Sequence, residues 1–145
     1  SYTLSKSTRT QPIYGTSPFQ YDQTHNFNWV ASIDRENWKY SGRVRYVTGN
    51  PSTPITGGVF DSDNDVYDPI RGPLYSAREG AFFSLDIRID KKWIYDTWIL
   101  SAYLDVENIT NAKNPESVNY SYNYLQSSTV NGLPVLPTLG VQGEF

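Results

Sequence analysis

Acidic side chains recur at alternate positions in Asp61-Ser62-Asp63-Asn64-Asp65-Val66-Tyr67-Asp68. Carboxylates spaced this way are what a loop offers a hard cation, so Asp61, Asp63 and Asp65 are candidate calcium ligands. The match breaks at Val66, where a calcium loop needs glycine for its sharp turn, and at Gly72, which stands where a bidentate carboxylate belongs. A solvated acidic loop tip reads the same way, and no other cofactor is expected. His25 is the single histidine, which rules out a histidine-based metal cluster within the chain. Serine, histidine and aspartate all occur, but no Gly-x-Ser-x-Gly nucleophile elbow does. The absence of cysteine removes thiol nucleophiles, thiolate metal sites and disulfides together. The chain is not expected to be an enzyme.

Binding chemistry has two further candidates. Tyr120, Tyr122 and Tyr124 alternate in an aromatic-rich stretch whose rings suit a sugar or a planar ligand, although an extended hairpin would read identically. Arg43, Arg45, Asp86, Arg88, Asp90, Asp105 and Glu107 bring both charge signs to similar depths of their segments. They read first as a salt-bridged wall and second as the lining of a solute path. Net charge is −3 with no basic run, so no nucleic-acid partner is expected. The Asn-x-Ser/Thr matches at Asn108 and Asn119 carry no weight if the source is bacterial.

The elements that carry these residues are strands. Twelve tyrosines, four tryptophans and no methionine favour sheet over a helical bundle. Four segments alternate: Thr24 to Asp34, Trp38 to Val47, Phe83 to Trp93 and Trp98 to Asn108. Their apolar faces carry Phe27, Trp29, Val44, Tyr46, Leu85, Ile87, Leu100, Leu104 and Val106, with His25 at the outer end. Asn28 and the charges fall opposite, apart from Lys91 near a turn. Each length approaches the roughly 9–11 residues of a tilted bilayer-spanning strand. No apolar run approaches the roughly 20 residues of a membrane helix, and Ser1 opens no leader pattern. Connections alternate too. Short turns lie around Arg35-Glu36-Asn37 and Tyr95-Asp96, while loops run from Ser7 to Asp22 and from Thr48 to Ala81. Trp38, Trp93 and Trp98 flank the short turns, as an interfacial aromatic belt would. The long Thr48 to Ala81 loop is expected outside the cell, with its prolines extended or in turns.

The last segment, Leu139 to Phe145, alternates to a terminal aromatic. Leu139, Val141 and Phe145 resemble the β-signal read by the barrel assembly machinery, with Gly143 in a place usually held by a bulkier residue. Further stretches extend the likeness: Tyr21-Asp22-Gln23-Thr24-His25, Arg43 to Pro51, Leu85 to Lys91, Ala102 to Asn111 and Leu136 to Gly140. In order and spacing the chain resembles the C-terminal region of TonB-dependent outer-membrane receptors, particularly the large myxobacterial type. The resemblance implies an all-β fold: residues 1–145 would be about the last six antiparallel strands of a 22-stranded transmembrane barrel. It also implies the bacterial outer membrane as location and active uptake of a scarce ligand as function. The partners it implies are the rest of the barrel and its plug, TonB acting through that plug, the assembly machinery and outer-membrane lipid. Six strands cannot close a barrel, so the chain is expected to need further strands. The competing class is a secreted soluble β-domain that binds carbohydrate through exposed aromatics.

Parity also predicts register. The first tight hairpin sets Asp34 opposite Lys39, Ser32 opposite Ser41 and Asn28 opposite Arg45. Closing the second around Tyr95-Asp96 sets Trp93 opposite Trp98 and Asp86 opposite Asp105, two carboxylates that would have to share an arginine.

Overall fold

A computed structural model describes residues 1–145, and all its regular structure is strand. Six strands form one antiparallel sheet in the order β1 (Tyr2–Leu4), β4 (His25–Arg35), β5 (Trp38–Val47), β10 (Phe82–Ile94), β11 (Ile99–Glu107) and β14 (Leu136–Glu144). The sheet is open, with β1 and β14 at its edges. The short turns β4–β5 and β10–β11 lie at one end, and all three long connections lie at the other.

The β4–β5 hairpin has the predicted register: Asp34 faces Lys39, Ser32 faces Ser41 and Asn28 faces Arg45. The two-residue turn Glu36-Asn37 enforces it, with Glu36 held at φ 53°, a left-handed conformation unusual outside glycine. Asp34 and Lys39 face each other without closing to an ion pair within 4 Å.

The β10–β11 hairpin departs from expectation by two residues. Trp93 faces Leu100, Ile94 faces Ile99, and Arg88 faces Asp105. The turn centres on Asp96-Thr97, because Tyr95 donates its N–H to the Trp98 carbonyl at 2.9 Å and their rings stack at 4.7 Å. A shift of two preserves every facing, so the apolar and polar sets survive the error. Asp86 and Asp105 do not face each other.

The long connections are more ordered than loops. Residues between β1 and β4 form the hairpin β2 (Thr8–Gln11) and β3 (Gly15–Pro18), turned through Gly15 at φ 72°. The Thr48 to Ala81 stretch is a long arm. β6 (Pro51–Ser52) pairs with β9 (Ala77–Arg78) at its base, and β7 (Ile55–Asp61) pairs with β8 (Val66–Arg71) towards its tip. The tyrosine-rich stretch is a third hairpin, β12 (Pro115–Tyr120) and β13 (Ser127–Asn131). Proline at Pro51 and Pro69 hid these ladders from a reading by alternation, although short peripheral strands accept proline readily.

Nothing in the chain covers the apolar face. Eight residues are buried, none of them a large apolar side chain, while Ser84, Asp86, Asn108 and Asn114 are. Polar inside and apolar outside inverts the order that water imposes on a globular domain.

Candidate functional site

By strand alternation one face of the sheet carries Asn28, Arg43, Arg45, Asp86, Arg88, Asp90, Asp105 and Glu107. Asp86 sits at its centre, 5% exposed. Arg43 across the ladder donates from Nε at 2.8 Å and brings Nη2 to 2.8 Å of the same carboxylate oxygen. Ser84 Oγ donates to the other oxygen at 2.5 Å, and the Asn108 N–H does so at 3.0 Å. Arg43 also lies 3.9 Å from Glu107, and Arg45 lies 3.9 Å from Asp86 while its guanidinium covers the Phe82 ring at 5.3 Å. A second cluster surrounds Arg88. It holds Asp90 at 2.8 Å and Asp105 at 3.7 Å, and lies 4.0 Å over the Tyr103 ring.

The expected shared arginine is therefore not found. Asp86 is served by Arg43 and Arg45, and Asp105 by Arg88, because the two-residue shift gives each carboxylate its own cation. Tyr103 lies against Gly140 of β14 so closely that a Cβ there would overlap the ring. Glycine at that position lets the aromatic fill the gap and support Arg88 from the far side.

Above Asp86 the strand ends are pinned by two asparagines. Asn108 takes φ 50°, a left-handed conformation that asparagine tolerates, and turns the chain out of β11. Its side chain donates to the carbonyls of Ala112 and Leu133 and accepts the Ala112 N–H. Asn114 accepts the Phe83 N–H at 2.8 Å and donates to the Phe83 carbonyl at 2.9 Å, so its amide replaces one residue of a neighbouring strand. Sequence reasoning missed Ser84, Asn108 and Asn114 as supports. The Asn108-Ile109-Thr110-Asn111 run was the available signal, since closely spaced asparagines mark left-handed turns.

At the long-connection end Asp22 forms a latch. It is 3% exposed, accepts the Ser7 N–H at 2.5 Å, and pairs with Arg78 at 2.6 Å. Arg78 also donates to the Asp22 and Gly49 carbonyls, so one pair joins the first hairpin's base to the arm's base. The Ser7 N–H, followed by Arg78, holds the Asp22 carboxyl below its ordinary 3.8. A lowered value stabilises the latch above the ordinary pKa, and the contribution disappears as pH falls through the lowered one. Protection of the Ser7 amide from hydrogen exchange should hold from pH 7 to about 4 and then fall. Asp22→Ala should lack that protection already at pH 7. A flat profile, or an unchanged variant, would refute the latch.

In the acidic tip the turn itself engages Asp61. Asp61 Oδ1 accepts the Asp63 N–H and Oδ2 accepts the Asn64 amide, the larger of the bonds that lower its pKa. No group of three acidic or histidine side chains converges anywhere in the chain. Asp61 thus serves the β7–β8 turn. Of the tyrosines, Tyr122 donates its hydroxyl to the Asp65 carbonyl and stands edge-on to Tyr67 at 5.4 Å, with Phe60 beyond at 5.1 Å. Tyr124 packs over Gly58, and Tyr120 lies 6.0 Å from Tyr124. Tyr122 and Tyr124 therefore join the two hairpins, with Tyr120 beside Tyr124.

No protein-family model, curated protein or solved structure matches this chain. Function has to be argued from its geometry.

The opposite face of the sheet supplies the rest. Tyr2, Phe27, Tyr46 and Phe83 are consecutive cross-strand neighbours on β1, β4, β5 and β10. This row is invisible without register. Nearer the short turns, Trp38, Tyr40, Trp93, Tyr95, Trp98 and Phe145 gather on the same face, with Trp38 stacked on Tyr40 and Trp98 on Phe145. Between the two aromatic levels lie Val44, Leu85, Ile87, Ile89, Leu100, Ala102, Leu104, Leu139 and Val141. His25 receives the Tyr2 ring at the upper level, with 2.8 Å between its Nδ1 and the Tyr2 hydroxyl.

Proposed function

We propose that this chain is wall of a transmembrane β-barrel in the bacterial outer membrane, belonging to a TonB-dependent receptor that takes up a scarce ligand. The observation that carries the barrel reading is an uncovered apolar face bounded by aromatics at both levels, opposite a face of paired charges. Phe83 and Trp93 are ten residues apart on one strand. At about 3.3 Å per residue and a tilt of roughly 40°, the band between them is about 25 Å tall, the height of the lipid-facing belt of such barrels. Alternation of short turns and long arms supports the same orientation, with the arms outside and the turns in the periplasm. An open sheet in lipid leaves unpaired edges, so β1 and β14 call for further strands in the same barrel.

The receptor assignment rests on the sequence resemblance, including the Leu139, Val141 and Phe145 pattern at the assembly end. The charged face would then look towards the lumen and its plug, through which TonB acts. The joined hairpins with Tyr120, Tyr122 and Tyr124 would stand at the mouth, where ligand arrives.

Because the chain has no cysteine, each introduced thiol is a unique reporter. In the full-length protein in lipid vesicles, cysteine at Leu85, Ile87 or Leu104 should resist a water-soluble maleimide. Cysteine at Arg88 or Asp105 should react once the lumen is accessible. Equal labelling of both sets would sink the barrel reading. Uptake surviving deletion of the β7–β8 tip would remove the arm from ligand capture.

A further inference from the structure

Across the six strands, the apolar face carries two charged side chains, Arg35 and Lys91, and both are cations. They occupy one cross-strand row, either side of Trp38: Arg35 faces Trp38 on one ladder and Lys91 faces it on the other. Lys91 Nζ lies 4.1 Å over the Trp38 ring and 5.8 Å from that of Trp93. Neither cation has an acidic partner within 4 Å, and no acidic strand residue shares the face. The next row towards mid-sheet is Ile33, Tyr40 and Ile89, and the one beyond opens into a dip at Ala31 and Gly42, where a Cβ on Gly42 would meet nothing closer than 4.0 Å.

We propose that Arg35, Trp38 and Lys91 form a binding site for the phosphate headgroup of an anionic phospholipid in the leaflet at the short-turn end. The inference rests on the reading that this face meets lipid. Two unpaired cations on an otherwise uncharged surface need an anion, and the apolar rows beside them require that the anion carry acyl chains. A phosphodiester lodged between the cations, over the indole, meets both demands, with one chain lying along Tyr40 into the Ala31–Gly42 dip. Cations near a membrane surface each favour anionic lipid by about fivefold, so the pair should give a preference of about 25-fold.

The test uses the full-length protein in phosphatidylcholine vesicles containing a minor share of phosphatidylglycerol. Bromine in the acyl chains of one lipid or the other quenches tryptophan fluorescence on contact. Brominated phosphatidylglycerol should quench far beyond its share in the native protein, and Arg35→Gln/Lys91→Gln should abolish that excess. Lys91→Arg, which keeps the charge, should retain it. An excess unchanged in the double variant overturns the site. So does equal enrichment of brominated diacylglycerol, which lacks phosphate, or displacement of the lipid by inorganic phosphate. If brominated phosphatidylcholine fails to quench in every protein, the lipid-facing reading itself falls, an outcome distinct from loss of preference alone.

Discussion

Replacing Asp86 with alanine should destabilise the folded protein by roughly 3 kcal/mol, the largest effect expected of any single side chain on the charged face. Removing one member of a buried ion pair costs about 3–5 kcal/mol, because the remaining groups lose their partner without regaining water. The lower end applies here, since Arg43 is 41% exposed and can rehydrate. The Asn108 N–H and Ser84 hydroxyl cannot do so readily; both residues are buried and lose the oxygen they share. Asp86→Asn should fall between, as its amide keeps one acceptor and turns a donor towards Arg43 or Ser84. Urea unfolding of the full-length protein in lipid gives the readout. An Asp86→Ala midpoint equal to the native one would show that the network contributes nothing to stability.

Placing arginine at Ile87 should cost a further large amount, about 2–4 kcal/mol, and for a different reason. Ile87 sits midway between the aromatic levels, with Gly42 and Val106 as its cross-strand neighbours. A guanidinium there would have to remain in hydrocarbon or distort the bilayer around it, the penalty measured at barrel midplanes. If the face were wet, the same exchange would shift stability by about 0.5 kcal/mol or less. The two outcomes separate a lipid-facing wall from a soluble sheet. Ile87→Leu is the matched control and should be nearly silent.

Much of this was legible in the sequence because strand chemistry is periodic. Alternation in Leu85 to Asp90 placed each residue on its face whatever the alignment, and Lys91 stood out as the exception it proved to be. The spacing of Asp34 and Lys39 around a two-residue turn located the first hairpin's register. The second hairpin was misaligned because Tyr95-Asp96 and Asp96-Thr97 are equally plausible turn centres, and alternation carries no sign of the Tyr95–Trp98 stack that decides between them. The asparagine supports around Asp86 were illegible because they come from far along the chain. Asn114 is 31 residues from Phe83, and nothing local says that its amide will pair with that backbone. At the acidic tip, alternation marks the aspartates but not the bonds by which the Asp63 N–H and the Asn64 amide hold Asp61.

The two-residue ambiguity in the β10–β11 hairpin has a counterpart in assembly. An intermediate slipped by two would keep Leu85, Ile87, Leu104 and Val106 on the same side, so burial alone could not distinguish it from the native pairing. It would, however, only exchange Glu107 for Asp105 across from Asp86, while moving Arg88 a diagonal step from the Asp105 carboxylate it now faces. Separating that facing opposite-charge pair costs a few tenths of a kcal/mol to about 1 kcal/mol. The arginines and aspartates of this wall therefore proofread an alignment to which its apolar residues are blind.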